Sequence, residues 1–216
     1  TISTDMAEVV DQAESELLAL DVGIYRRTGR LVRVRDRSHR RDHGVRREDD
    51  IAIVESAPAP WLRESMSRAA RWFKLKDGSR LESLPPPWTV DALMARGDWS
   101  FPRLRGIVHS PCPRPDGTLL TKAGYDEQTE LYHCATTPCE AIPEKPTREQ
   151  ALAALAVLWE PFTDFPFAGD AENGSKTDAW AATVAALLTV ICRYHIDGAM
   201  PMFLVTAPVR GSGKTR

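Results

Sequence analysis

The chain has 216 residues, 43% of them hydrophobic and 27% charged, and carries a net charge of −2. This is the composition of an ordinary globular protein, with enough length for one large or two small domains. Its longest apolar stretch, the thirteen residues from Trp180 to Cys192, is too short to span a bilayer, and the acidic N-terminus lacks the apolar segment of a secretion signal, so a cytoplasmic location is expected.

The charge balance hides an asymmetry. Residues 1–20 hold five acids (Asp5, Glu8, Asp11, Glu14, Glu16) and no base, whereas residues 22–47 hold ten arginines against Asp36 and Asp42. Cysteines at 112, 134, 139 and 192 form no disulfide framework. Cys134 and Cys139 near His133 lack the knuckle spacing of a zinc site, so reduced thiols are expected.

In chain order, residues 5–20 are predicted helical, with Val9, Val10, Ala13, Leu17 and Leu20 at helical spacing. Ile24-Tyr25 and Leu31–Val34 flank Thr28-Gly29 and read as a hairpin. Arg33 and Arg35 alternate with Val32 and Val34, which predicts one apolar and one guanidinium-bearing face. Residues 36–50 read as a charged loop, and residues 51–54 as a short strand.

A helix is expected from Trp61 to about Lys74, with Leu62, Met66, Ala69 and Phe73 on one face. Pro85-Pro86-Pro87 breaks the chain before a short helix containing Val90, Leu93 and Met94. Ile107-Val108, Leu119-Leu120 and Leu131-Tyr132 are predicted to form a meander. Its turns are expected at Pro113–Gly117 and Gly124-Tyr125-Asp126.

Residues 142–146 read as a linker, placing a domain boundary near 143–147. The expectation is a mixed α/β domain over 1–143 and a helical lead-in over 144–216. Thr147 with Gln150 forms a capping box opening a helix with Leu152, Leu155, Ala156 and Trp159 inward. Ser175 with Asp178 opens a second helix to about His195, and Phe165 and Phe167 are expected to close a core between the two. Met202–Val205 is an apolar run read as a strand.

Next come Gly211-Ser212-Gly213-Lys214-Thr215, the order of a phosphate-binding loop. Glycines let successive backbone amides converge on phosphate oxygens. Lys214 is the candidate catalytic residue, a compact charge for the β- and γ-phosphates, and the Thr215 hydroxyl is the candidate Mg²⁺ ligand. Pro208 stands where the full pattern has glycine. Hydrolysis also needs an acidic strand and a water-orienting group. The expectation is therefore the front part of a longer P-loop ATPase, inactive by itself.

The arginine-rich stretch is the second candidate site, because each arginine on a phosphate displaces condensed counterions. The residues singled out are Arg26, Arg27, Arg33, Arg35, Arg40 and Arg41, with Tyr25 as a neighbouring stacking ring.

The order of several short stretches resembles primase-associated helicases and ATPases of phages, plasmids and integrated elements. They are Ile24–Arg27 with Gly29–Val34; Pro111 with Arg114–Thr118; Gly124–Asp126; Asp164–Phe167; and Ala207-Pro208 with Gly211–Thr215. The resemblance implies an ATP-dependent replicative motor on DNA, oligomeric and partnered by a primase. It implies ATP and Mg²⁺ as cofactors at Gly211, Gly213, Lys214 and Thr215, with a DNA-contacting or scaffolding role upstream. The alternative expectation is a non-enzymatic nucleic-acid-binding or partner-docking module.

Overall fold

The computed structural model describes residues 5–35, 52–135, 142–165, 167, 178–196 and 198–206. Within these it is a mixed α/β protein of small sheets and five α-helices. No helix among the described residues is long and apolar enough to cross a membrane. The chain divides into two compact units: residues 1–110 with 121–137, and residues 111–120 with 138–216.

The first unit opens with α1 (Met6–Leu20), whose N-cap Asp5 accepts from Ala7 N. Strands β1 (Ile24–Arg27) and β2 (Arg30–Arg35) pair antiparallel around Thr28-Gly29, both at positive φ. Strand β3 (Ile53–Ser56) adds antiparallel to β2, opposing Arg33 with Glu55 and Val34 with Val54. Helix α2 (Ala59–Ala69) follows, then α3 (Pro87–Ala95); prolines in their first turns cost no hydrogen bond.

Strand alternation sends Ile24 and Leu31 to one face of the β1–β2–β3 sheet. There they pack with Val10, Ala13 and Leu17 of α1, Leu62 and Met66 of α2, and Val90 and Leu93 of α3. The opposite face carries Tyr25 and Val32, packed with Leu104, Tyr125 and Tyr132. Two indoles close helix ends: Trp72 donates to Met66 O at 2.9 Å and Trp99 to Leu93 O at 2.6 Å, both last-turn carbonyls.

The buried Glu14 links α1 to the chain after α3. It accepts from Ser100 N at 2.5 Å and pairs with Arg96 at 2.7 Å, while the same guanidinium reaches Asp11. A buried carboxylate is tolerable only with such partners.

The helix expected over 61–74 stops at Ala69. Residues Trp72–Lys76 are strand β4, paired antiparallel with β5 (Ser79–Ser83). Trp72-Phe73-Lys74-Leu75-Lys76 alternates with period two, and Asp77-Gly78, at φ 51° and 74°, forms a primed hairpin turn.

The expected meander is also revised. Strand β6 (Gly106–Val108) runs parallel to β10 (Leu131–His133), and β9 (Gly124–Asp126) is a strand antiparallel to β10 rather than a turn. Glu130, at φ 56°, sits in the turn joining β9 to β10, where Asp126 accepts from Thr129 N and Oγ1.

In the second unit, β7 (Cys112–Pro113) and β8 (Leu119–Leu120) form a small hairpin. Its loop is held by Arg114 N to Thr118 O at 2.8 Å and by Asp116 accepting from Thr118 N at 2.9 Å. Helix α4 (Arg148–Trp159) begins with the complete Thr147/Gln150 capping box. A 3-10 turn at Glu160–Phe162 follows.

Helix α5 (Asp178–Ile191) ends sooner than expected, because residues 192–195 form turns. The expected inward face of α4 is not buried: Leu152 is 54% exposed, and neither α4 nor α5 has a buried residue. Instead Trp159 gathers the aromatic rings, with centroids 5.6 Å from Phe162, 5.2 Å from Phe167 and 4.9 Å from Trp180.

The run Met202–Val205 is not in a strand. A strand needs a paired neighbour to satisfy its backbone, and none is hydrogen-bonded to it among the described residues. Met202 is 95% and Leu204 84% exposed.

Candidate nucleic-acid interface

The nucleotide-loop candidates Gly211, Ser212, Gly213, Lys214 and Thr215 lie outside the described residues, as do Arg40 and Arg41. The structure therefore places Arg26, Arg27, Arg33, Arg35 and Tyr25.

Strand pairing decides where each points. Arg33 and Arg35 share a face of β2 with Glu55 and Ile53 of β3, because cross-strand partners lie on the same side. Arg33 and Arg35 alternate with Val32 and Val34 as expected, but their face also carries Ile24 and Leu31, packed on the helices, so it is not a separate guanidinium face. Arg33 donates from Nε to Glu55 Oε1 at 2.7 Å, and its Nη2 lies 2.6 Å from the same oxygen. Its guanidinium also stacks 4.6 Å above the Trp61 ring of α2. Arg35 reaches Glu55 Oε2 at 3.5 Å and is the more exposed of the two.

Arg26, opposite Leu31, lies on the same face of the sheet. Its Nε donates to Phe101 O at 3.0 Å, and its backbone bonds to Pro102 and Leu104 carry the chain alongside β1. Arg27 sits at the end of β1 opposite Arg30.

Tyr25 is buried, with ring centroids 5.0 Å from Tyr125 and 6.2 Å from Tyr132. Burial, with the neighbouring Tyr132 hydroxyl, pushes its phenol pKa up to about 12. Tyr125 donates to Arg103 O at 2.7 Å and is likewise raised by burial.

Tyr25, Arg33, Arg35, Trp61 and Tyr132 line a cleft of about 230 Å³. Two guanidiniums share the single Glu55 carboxylate there, leaving one net positive charge. The cleft offers phenols, an indole and a partly free cation. Such a lining suits an anionic, flat-ringed ligand such as a nucleotide unit.

Sequence reading missed Glu55 and Trp61 as members of this cluster. The Ile51–Val54 run hinted at a third strand, but only its register brings Glu55 opposite Arg33. Cys112, Cys134 and Cys192 are free thiols, and among the described residues no group of three or more His, Cys, Asp or Glu side chains is placed to hold a metal ion. No family model, curated protein or solved structure matches this chain.

Proposed function

We propose that this chain serves an ATP-dependent DNA motor, a helicase or DNA-dependent ATPase that replicates a phage, plasmid or integrated element. The observation that carries this reading is Gly211-Ser212-Gly213-Lys214-Thr215 following an apolar run. Two glycines, a lysine and a hydroxyl are a donor set suited to a magnesium nucleotide. Gly211, Ser212 and Gly213 supply amides, Lys214 offsets phosphate charge, and Thr215 holds the metal when ATP is bound.

The upstream unit supplies the DNA contact in this reading. In this reading Arg26, Arg27, Arg35, Arg40 and Arg41 contact the phosphate backbone, while Arg33 is held by Glu55 and Trp61. A homo-oligomeric assembly and a primase partner belong to the same proposal.

The second reading is a nucleic-acid-binding or docking module without ATP chemistry. The exposed Met202–Val205 segment, without a strand partner among the described residues, favours it. Lys214→Ala in the full-length protein separates the two. The motor reading expects ATPase activity to fall at least about a hundredfold, as for loss of a principal charge-stabilising group. Unchanged activity would sink it.

A further inference from the structure

Beyond Trp72, the β4–β5 ribbon is open on both faces: residues 73–76 and 79–82 are all exposed. An isolated two-stranded ribbon is marginal in water. This one is held at its base by Trp72, which packs against the helical core and donates to Met66 O, and at its tip by Asp77-Gly78.

Register fixes its chemistry. Lys74 opposes Leu81 and Lys76 opposes Ser79, so both lysines share one face. Phe73 opposes Glu82 and Leu75 opposes Arg80 on the other face, where Arg80 stacks 4.9 Å from the Phe73 ring. Residues 71–82 hold four cations (Arg71, Lys74, Lys76, Arg80) against two acids (Asp77, Glu82), in a chain whose net charge is −2. Among the described residues, Arg71, Lys74 and Lys76 take no carboxylate partner.

We propose that the β4–β5 ribbon is a duplex-DNA-binding arm that enters the major groove tip first, with Lys74 and Lys76 on one phosphate wall and Arg80 on the other. The groove, about 12 Å wide, admits a two-stranded β-ribbon. Strands of five residues reach about 16 Å, at about 3.3 Å per residue. Cations on both faces match a slot with two charged walls, whereas a planar headgroup layer meets one face only. Leu75 and Leu81, 54% and 43% exposed, lie on the same two faces as these cations and supply apolar contact to the deoxyriboses of the groove walls.

This arm rests on the reading of the chain as a DNA-acting protein. The test is fluorescence anisotropy of the full chain with a labelled mixed-sequence 20-mer duplex across a salt series. The same titration is run on the triple variant Lys74→Ser/Lys76→Ser/Arg80→Ser and on Lys74→Gln alone.

The expected result is at least a tenfold loss of duplex affinity for the triple variant. Its log–log salt slope should shrink by roughly 2.7, at about 0.9 per phosphate contact; Lys74→Gln should shrink it by about 0.9. Wild-type binding that neither variant diminishes overturns the arm and leaves the DNA reading standing. A loss seen only with single-stranded DNA overturns the groove placement. A wild-type chain that binds anionic vesicles but no DNA overturns the arm and the DNA reading together.

Discussion

Glu55 Oε1 stands 2.6 Å from Arg33 Nη2, so the guanidinium that strand alternation places on the helix-packed face of the sheet, beside Ile24, is clamped by the neighbouring strand. Arg33 is thereby a support for the cleft rather than a loose phosphate ligand, and Arg35 is the more available cation.

Glu55→Gln removes the carboxylate that two guanidiniums share. We predict a loss of about 1–3 kcal/mol in stability, because a half-buried charged donor loses its ionised partner. Binding to DNA should strengthen, with a salt slope steeper by about one. Denaturant melts and salt-series anisotropy check both; an unchanged slope would show that this cleft does not face DNA.

Glu14 is the second electrostatic keystone. Glu14→Ala leaves the Ser100 amide without its acceptor and Arg96 with Asp11 as its remaining carboxylate, and should cost about 1–3 kcal/mol by urea unfolding. A cost below about 1 kcal/mol would mean that the contact is dispensable.

Tyr25 gives the fold an alkaline limit. Its pKa is raised from 10.0 in the unfolded chain to about 12 when folded, so its contribution is fully present below pH 10 and is lost as pH climbs through about 12. Stability should therefore fall over that window. Tyr25→Phe should flatten the fall and remove the latest phenolate from an ultraviolet titration. If the titration of the variant matches wild type, another tyrosine is the late one.

Thr147 adds no core packing, yet its hydroxyl accepts from Gln150 N while Gln150 Oε1 accepts from Thr147 N. Thr147→Ala should destabilise the start of α4 by about 1 kcal/mol, seen as faster amide exchange in its first turn.

Local chemistry made part of this fold legible in the sequence. Asp5 and the spacing of Val10, Ala13 and Leu17 define α1; Thr28-Gly29 sets the first turn; Thr147 and Gln150 open α4. The β4–β5 ribbon was obscured because Phe73 continues the helical spacing of Leu62, Met66 and Ala69. Asp77-Gly78, a strong hairpin signal, outweighs that coincidence. The parallel β6–β10 pairing joins residues more than twenty apart, which no local pattern encodes. The same holds for the cleft. Its arginines and Tyr25 are visible as residue types, but their meeting with Glu55, Trp61 and Tyr132 depends on register and tertiary packing.

In the proposed motor, ATP turnover at the Gly211–Thr215 loop is coupled to DNA. The most direct test is steady-state ATP hydrolysis by the full-length protein with and without single-stranded DNA, at fixed Mg²⁺. Hydrolysis should rise when DNA is added and be abolished by Lys214→Ala. Hydrolysis indifferent to DNA, or no ATP binding at all, would contradict that coupling.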